Sequence, residues 1–359
     1  MKTRNRNWKS LLAAAVLFLV AARGAIAEEA IPGDKRLPKN VVAYMSLKNV
    51  NEFKTQWPKT LFGQMLSDDS LAELRGDFLK QFEQSSQEVR ERIGLGLAEL
   101  LAIPQGEVTV AGVILPSGGI GGAMLLDFGD QSEALHKLID KAHEGLDAAD
   151  LTRNEEEVED TKLILFQHKA GEGNDEARDA GGYFVKDTVL VIASHASVLK
   201  DVLTRWNGKH DHTFSEHESF QYILERCRDQ DSEARPQFTW FVDPVGLFQA
   251  VASANPELLG PAAAAPGLMP ILGFDKFKGF GGTVDMGQGD FDTISRTLVL
   301  LERAPQGIGN LFQFDLAAQS PPKWLSTDWT SYMVINWNAG KAYATVESFT
   351  DMFLGPVAL

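Results

Sequence analysis

Cysteine is almost missing from this chain: Cys227 is the only one in 359 residues. A single thiol cannot close an internal disulfide, so the fold must rest on an apolar core, which a 44% hydrophobic composition can supply. Positive charge is also short, with 34 Lys and Arg against 49 Asp and Glu and a net charge of −15. That balance repels nucleic acid and anionic membrane surfaces, whose partners are rich in Lys and Arg. Long apolar runs are lacking as well. A transmembrane helix needs roughly 20 such residues, and the longest run, "LLAAAVLFLVAA" near the N-terminus, is shorter.

That run sits inside a three-part leader. "MKTRNRNWKS" carries Lys2, Arg4, Arg6 and Lys9 and no acid, the apolar run follows, and Ala25-Ile26-Ala27 is a small-x-small site. This is the pattern of a secretory signal peptide. Residues 1–27 are therefore expected to be a leader cleaved between Ala27 and Glu28, the alternative being an uncleaved N-terminal anchor. Cleavage removes five basic residues and no acid, so the net charge falls from −15 to about −20. The expected location is exported, periplasmic or secreted, with no transmembrane anchor once the leader is gone.

The rest of the chain alternates strand-like and helix-like segments. Residues 41–48 read as a strand, and Asn49 with Glu52 forms a capping box that opens a helical region to about residue 93. "EVTVAGVIL" and "AMLLDFG" read as a strand pair around "PSGGIGG". Asp130 and Glu133 open a helix with Leu135, Leu138, Ile139 and Ala142 on one face. "LTRNEEEVEDTK" reads as an acidic edge before a strand at 163–168, and "GYFVKDTVLVIAS" as two strands turning near Asp187. Val198, Leu199, Val202 and Leu203 mark a helix. Ser215 and Glu218 form a second capping box before a helix that carries Cys227 as a small buried residue.

Parts of this pattern recur. "VVAYMSLKN", "FTWFVD" and "SYMVINWN" each read as a strand that runs into an Asn or Asp cap, at Asn49, Asp243 and Asn338. "RIGLGLAELLAIPQGEVTVAGV" also resembles "ILGFDKFKGFGGTVDM". Such self-similarity points to a duplicated unit. The expected organisation is a first α+β unit at 28–235, a related second unit at 236–325, and the start of an incomplete further unit at 326–359. The expected fold class is α+β, with mostly antiparallel sheets, helices packed on one face, and internal repetition.

At "LPKNVVAYMSL", "IGLGLAELLAIPQGEVTVAGV", "LLDFGDQSEALHKLI", "YFVKDTVLVIASHASVLKDVL" and "ILGFDKFKGFGG" the chain resembles an uncharacterised bacterial family of exported proteins, a domain of unknown function. The resemblance spans roughly residues 38–350 and implies no reaction, cofactor or site residue.

Candidate chemistry is sparse. His210, His212 and His217 lie close together and could approach a zinc or copper ion. The competing reading puts His210 and His212 in a solvated loop and His217 pointing outward from the helix capped by Ser215. "SVLK" at Ser197–Lys200 matches S-x-x-K without its partner motifs. "PSGGIGGAM" joins strand to strand, whereas a phosphate cradle needs a helix N-terminus. Glu155, Glu156 and Glu157 read as a solvated block, and Asp285, Asp290 and Asp292 lie around a turn. No catalytic site and no cofactor site is recognisable. The expected function is an exported cell-envelope protein, a binding or scaffold module whose partner is an unidentified envelope protein. The alternative is a carrier that holds an apolar ligand between sheet and helices, with 258–272 as its cover, and an envelope hydrolase ranks behind it. Sequencing the N-terminus of protein recovered from its native envelope should read from Glu28, and an intact Met1 species in the soluble fraction would contradict the leader.

Overall fold

Short Val-, Ile- and Phe-rich runs bounded by glycine or acidic turns favour strands, and among the described residues ten strands pair into a single sheet. The computed structural model describes residues 30–73, 76–77, 97–147, 151–168, 179–229, 234–254, 273–288, 291–302, 307–314, 322–326 and 333–355. The strands are β1 (Val41–Leu47), β2 (Val108–Ile114), β3 (Ile120–Asp127), β4 (Leu151–Val158), β5 (Thr161–His168), β6 (Asp179–Lys186), β7 (Val189–Ala193), β8 (Phe238–Val242), β9 (Phe277–Gln288) and β10 (Phe291–Leu301). They lie in the order β10-β9-β8-β1-β2-β3-β7-β6-β5-β4, and every neighbouring pair is antiparallel. The helices are α1 (Gly33–Arg36), α2 (Val50–Gln56), α3 (Leu61–Ser67), α4 (Leu97–Ala102), α5 (Ser132–Asp147), α6 (Ala196–Thr204), α7 (Glu218–Cys227), α8 (Pro244–Ala254) and α9 (Ala339–Leu354). None of them, among the described residues, is long and apolar enough to cross a membrane. The class is α+β, as the sequence pattern implies.

The helices do not all pack on one face, and this corrects the expectation. Successive side chains of a strand point to opposite faces. Leu125 and Val191 join a core with Val198, Leu199, Val202 and Leu203 of α6 and Phe220, Ile223 and Cys227 of α7. Their chain neighbours Leu126 and Leu190 belong to a second cluster with Ile103, Phe128 and Leu135 of α5. α5 therefore covers the face opposite α6 and α7. β5 carries the mark of this double cover, since Leu163, Ile164, Leu165 and Phe166 are buried in succession, the pattern of a strand covered on both sides.

The centre of the first face is aromatic. Phe214 is fully buried, and its ring centroid lies 4.3 Å from Phe220, 4.9 Å from Tyr44 and 5.7 Å from Phe241. Each ring comes from a different segment, so the cluster ties β1, β8 and α7 together. Cys227 is buried beside it, as its helical spacing implies.

Three other differences have local causes. The helical region after Asn49 breaks after Gln56 into a 3-10 turn, Trp57–Lys59, where Pro58 lacks the N–H that an α-helix interior needs. Thr60 then caps α3 by accepting from the Gly63 N–H. Most of the helical region beyond Asp68, expected to reach about residue 93, lies outside the described residues, 78–93 included. The acidic "LTRNEEEV" stretch is itself the edge strand β4, paired along its length with β5. Its run of glutamates suits an edge, where charge discourages pairing with another chain. Finally, no strand forms over 333–337. Trp337 makes only an isolated bridge with Phe314.

The three Asn/Asp caps do form. Asn49 Oδ1 accepts from the Glu52 N–H at 2.8 Å, Asp243 Oδ1 accepts from Val245 N–H and Gly246 N–H, and Asn338 Oδ1 accepts from the Lys341 N–H at 3.1 Å. The pairing of β1 with β8 runs from Ala43↔Val242 to Leu47↔Phe238, so the segments 28–235 and 236–325 share one sheet. Because Phe214 joins three of its elements, Phe214→Ala should destabilise the protein by about 3–5 kcal/mol in urea unfolding.

Candidate functional site

A cavity of about 580 Å³ opens between α5 and the sheet. Its floor follows a cross-strand row on the α5 face, in which Val110 pairs with Met124, Met124 with Ile192, and Ile192 with Tyr183. The row continues past the cavity to Met45, opposite Val110, and Met45, Val110 and Ile192 are all exposed. The roof is the inner face of α5, with Leu138, Ile139, Ala142 and His143.

The gap has a steric origin. One end of α5 is held by Leu135 packing with Ile103, Phe128 and Leu190. Near the other end His143 meets Phe166 and Tyr183, with ring centroids 6.0 Å and 5.7 Å apart. Between these props the floor is small, with Gly122, Ala180 and Gly182. A Cβ added at Gly122 would meet nothing within 4 Å, whereas at Gly181 (φ +84°) it would lie 2.3 Å from the Ala193 carbonyl oxygen. Gly181 and Gly182, where an added Cβ would lie 2.1 Å from the Ile164 carbonyl oxygen, thus serve the backbone, and Gly122 leaves space above the sheet. The outer face of α5 is polar and carries the i,i+4 pair Glu133–Lys137 at 3.2 Å and the pair Lys141–Glu144 at 2.7 Å.

Few polar groups reach the cavity. Tyr183 Oη lies 3.0 Å from His143 Nε2, and Arg153 Nη1 lies 3.3 Å from His143 Nδ1. Burial raises the Tyr183 pKa, with Arg153 lowering it and Asp140 and Glu155 raising it further, so the phenol stays protonated at neutral pH. At the other end Ser194 Oγ accepts from the Gly122 N–H at 2.8 Å and lies 2.8 Å from His195 Nδ1. This pair has the residue types of a nucleophile and base. Among the described residues it lacks the third group that orients the imidazole, a requirement of such catalysis.

No family model, no curated protein and no solved structure matches the chain.

The residues singled out in the sequence lie elsewhere. His210 and His212 are exposed on the loop before α7, and the His212 N–H donates to Glu216 Oε2. His217 departs from expectation. It, and not Ser215, is the N-cap of α7, with Nδ1 accepting from the Phe220 N–H at 3.4 Å. Its ring faces inward, 5.2 Å from Phe241 and 5.9 Å from Phe214. Ser215 falls in a 3-10 turn, and its hydroxyl meets Thr213 Oγ1 at 2.8 Å. Among the described residues no three His, Cys, Asp or Glu side chains are grouped to hold a metal ion. Lys200 of the S-x-x-K match pairs with Glu156 of β4 at 2.7 Å. The loop between β2 and β3 turns through Gly118 and Gly119, both at positive φ. Asp285 is buried and accepts from the Gln237 N–H, Asp292 accepts from the Leu61 N–H, and Asp290 lies outside the described residues. The stretch 258–272, the expected cover, is outside them too.

A second polar centre escaped sequence reading. Glu107 Oε1 accepts from Ser46 Oγ at 2.7 Å, Thr109 Oγ1 at 3.0 Å and the Gly33 N–H at 3.2 Å. Arg235 grips both of its oxygens at 3.2 Å. Burial pushes the Glu107 pKa up, but Arg235 and the surrounding donors outweigh it and hold the carboxyl below its ordinary range. Nearby, buried Arg36 lies 3.9 Å over the Trp206 ring, and Trp206 Nε1 donates to Asp187 Oδ2 at 2.8 Å. A cavity of about 210 Å³ lies between Arg36, Glu107, Asp127 and Asp187. The Arg36 Nε has no hydrogen-bond partner among the described residues. A space of that size is large enough for several waters, so the cluster fits a hydrated structural network.

Burial lowers the His217 pKa, Asp243 and Glu218 working against it and Lys39 with it. The folded protein therefore keeps this ring neutral after the unfolded chain, near 6.5, has begun to take a proton. Its stability contribution is present above that value and declines as pH falls through it. The urea midpoint should drop below pH 6.5 in the wild type, and His217→Asn, which keeps a cap acceptor, should flatten that part of the profile.

Proposed function

We propose that this protein is an exported envelope binding module that holds an apolar ligand between α5 and the sheet. The observation that carries the reading is the cavity. Its volume of about 580 Å³ lies within the range of roughly 300–1,000 Å³ typical of small-molecule sites, which are mostly apolar with few polar groups. This favours the carrier over a scaffold, whose sheet would be filled. A hydrolase has less support, because the Ser194–His195 pair lacks an orienting acid among the described residues. Export rests on the leader ending at Ala27, and the periplasm or the cell exterior is the proposed location. The resemblance of its motifs to an uncharacterised exported family fits the same picture.

The proposed duplication has topological support. β1, then helices, then the β2–β3 hairpin is mirrored by β8, then α8, then the β9–β10 hairpin. In each, the first strand pairs with the first strand of its hairpin. The antiparallel β1–β8 pair then relates the halves by an approximate two-fold axis. Two contacts fit that axis. The Leu61 N–H at the start of α3 donates to Asp292 beside the β9–β10 turn. On the other side, the Gly119 N–H in the β2–β3 loop donates to Ser253 of α8.

Filling the cavity tests the function. Diphenylhexatriene should bind the wild type saturably at one equivalent. Gly122→Leu, which places a side chain in open space, should weaken that binding at least about tenfold with folding intact. Undiminished binding by the variant, or no saturable binding by the wild type, would refute a carrier role for this cavity.

A further inference from the structure

The cavity has one polar feature with a fixed direction. Arg153 can only donate hydrogen bonds, so the contact between its Nη1 and His143 Nδ1 at 3.3 Å makes Nδ1 an acceptor. The His143 proton then sits on Nε2, because the bond made by one ring nitrogen sets the state of the other. That N–H donates to Tyr183 Oη at 3.0 Å. Tyr183 accepts in this bond, so its own O–H hydrogen is left over. Among the described residues the Tyr183 hydroxyl has no other hydrogen bond. Tyr183 and His143 line the same cavity. The chain Arg153→His143→Tyr183 is therefore polarised to end in a donor at the cavity.

The nearby charges limit what that donor can meet. Arg153 is already paired with Glu155 at 2.9 Å. At Tyr183 the positive charge of Arg153 acts ahead of the negative charges of Asp140 and Glu155, and Lys162 also pairs with Glu155. A carboxylate head would lose its hydration in an apolar cavity, with Arg153 already engaged by Glu155. A neutral carbonyl oxygen meets the donor without that desolvation cost and gives it an acceptor within the cavity.

Resting on the carrier reading above, we infer that the ligand is an uncharged apolar molecule with a carbonyl-type acceptor, and that the Tyr183 hydroxyl binds that acceptor. An ester or ketone head on a hydrocarbon body has this chemistry.

The test compares three probes of similar length, tridecane, methyl dodecanoate and dodecanoate at pH 8, on the wild type, Tyr183→Phe and Gly122→Leu. Tyr183→Phe keeps the ring and removes one hydroxyl. It should weaken the methyl ester about tenfold, the size of one hydrogen bond, and leave tridecane within about twofold, which also shows that the cavity survives. Bound to the wild type, the ester carbonyl stretch should shift to lower wavenumber, and the shift should vanish in Tyr183→Phe. Dodecanoate should bind the wild type more weakly than its ester. Equal effects of Tyr183→Phe on ester and alkane, an unshifted carbonyl, or tighter binding of the carboxylate would each overturn the inference while leaving the carrier reading in place. If no probe binds the wild type, or Gly122→Leu binds all three undiminished, the carrier reading fails and this inference with it.

Discussion

The pairing of β1 with β8 is the constraint on which the rest of the sheet depends. Five residue pairs, from Ala43↔Val242 to Leu47↔Phe238, join strands nearly two hundred positions apart. Without them β8, β9 and β10 would form a separate ribbon, and β1 would expose an edge to solvent. The pairing is reinforced from one side by the Phe214, Phe220, Tyr44 and Phe241 rings. At its end lies Glu107, which binds Gly33, Ser46, Thr109 and Arg235 at once. Those partners come from the lead segment, β1, β2 and the approach to β8. One carboxylate thus fixes the point where distant segments meet. Removing a partner would leave a largely buried charge under-compensated, which costs more than the pair gains.

The cavity follows from the same architecture. A sheet covered on both faces needs each helix to be held at a distance set by its bulkiest contacts. On α5 those contacts are Leu135 near one end and His143 against Phe166 and Tyr183 near the other. Glycine and alanine between them cannot reach the helix, and well-packed interiors rarely leave such volume unfilled. The aromatic end of the gap is also where its polarity lies, so the groups that prop the helix open also supply its one directed donor.

Much of the fold was legible in the sequence because short-range signals agree with the tertiary outcome. The Asn49, Asp243 and Asn338 caps form, and the turns near Asp187 and around "PSGGIGG" connect the strands expected. The failures have specific causes. The 151–158 segment is too acidic to read as a strand, yet an edge strand with a solvated side tolerates those glutamates. Ser215 has the composition of a cap, but His217 holds the position because its ring also fills space against Phe214 and Phe241, a long-range gain that a capping rule does not include. "SYMVINWN" has strand composition, but among the described residues only Trp337 finds a bridge partner, and strand formation needs a neighbour.

The candidate site was scarcely legible. Gly122 and Gly182 inside strands were its only signal, since glycine in a strand can mark open space or close backbone approach. The relay of Arg153, His143 and Tyr183 joins residues from three elements, and no spacing rule links them. By itself the sequence determined the α+β class, the single buried thiol, the caps at Asn49, Asp243 and Asn338 and the acidic balance, because each follows from composition or from contacts within a few residues. Only the tertiary structure decided that α5 covers the opposite face, that β1 meets β8, and that a cavity with one oriented hydroxyl lies beneath α5. Those outcomes depend on side-chain volumes and hydrogen-bond directions brought together across the chain, and a linear pattern does not encode the distances between them.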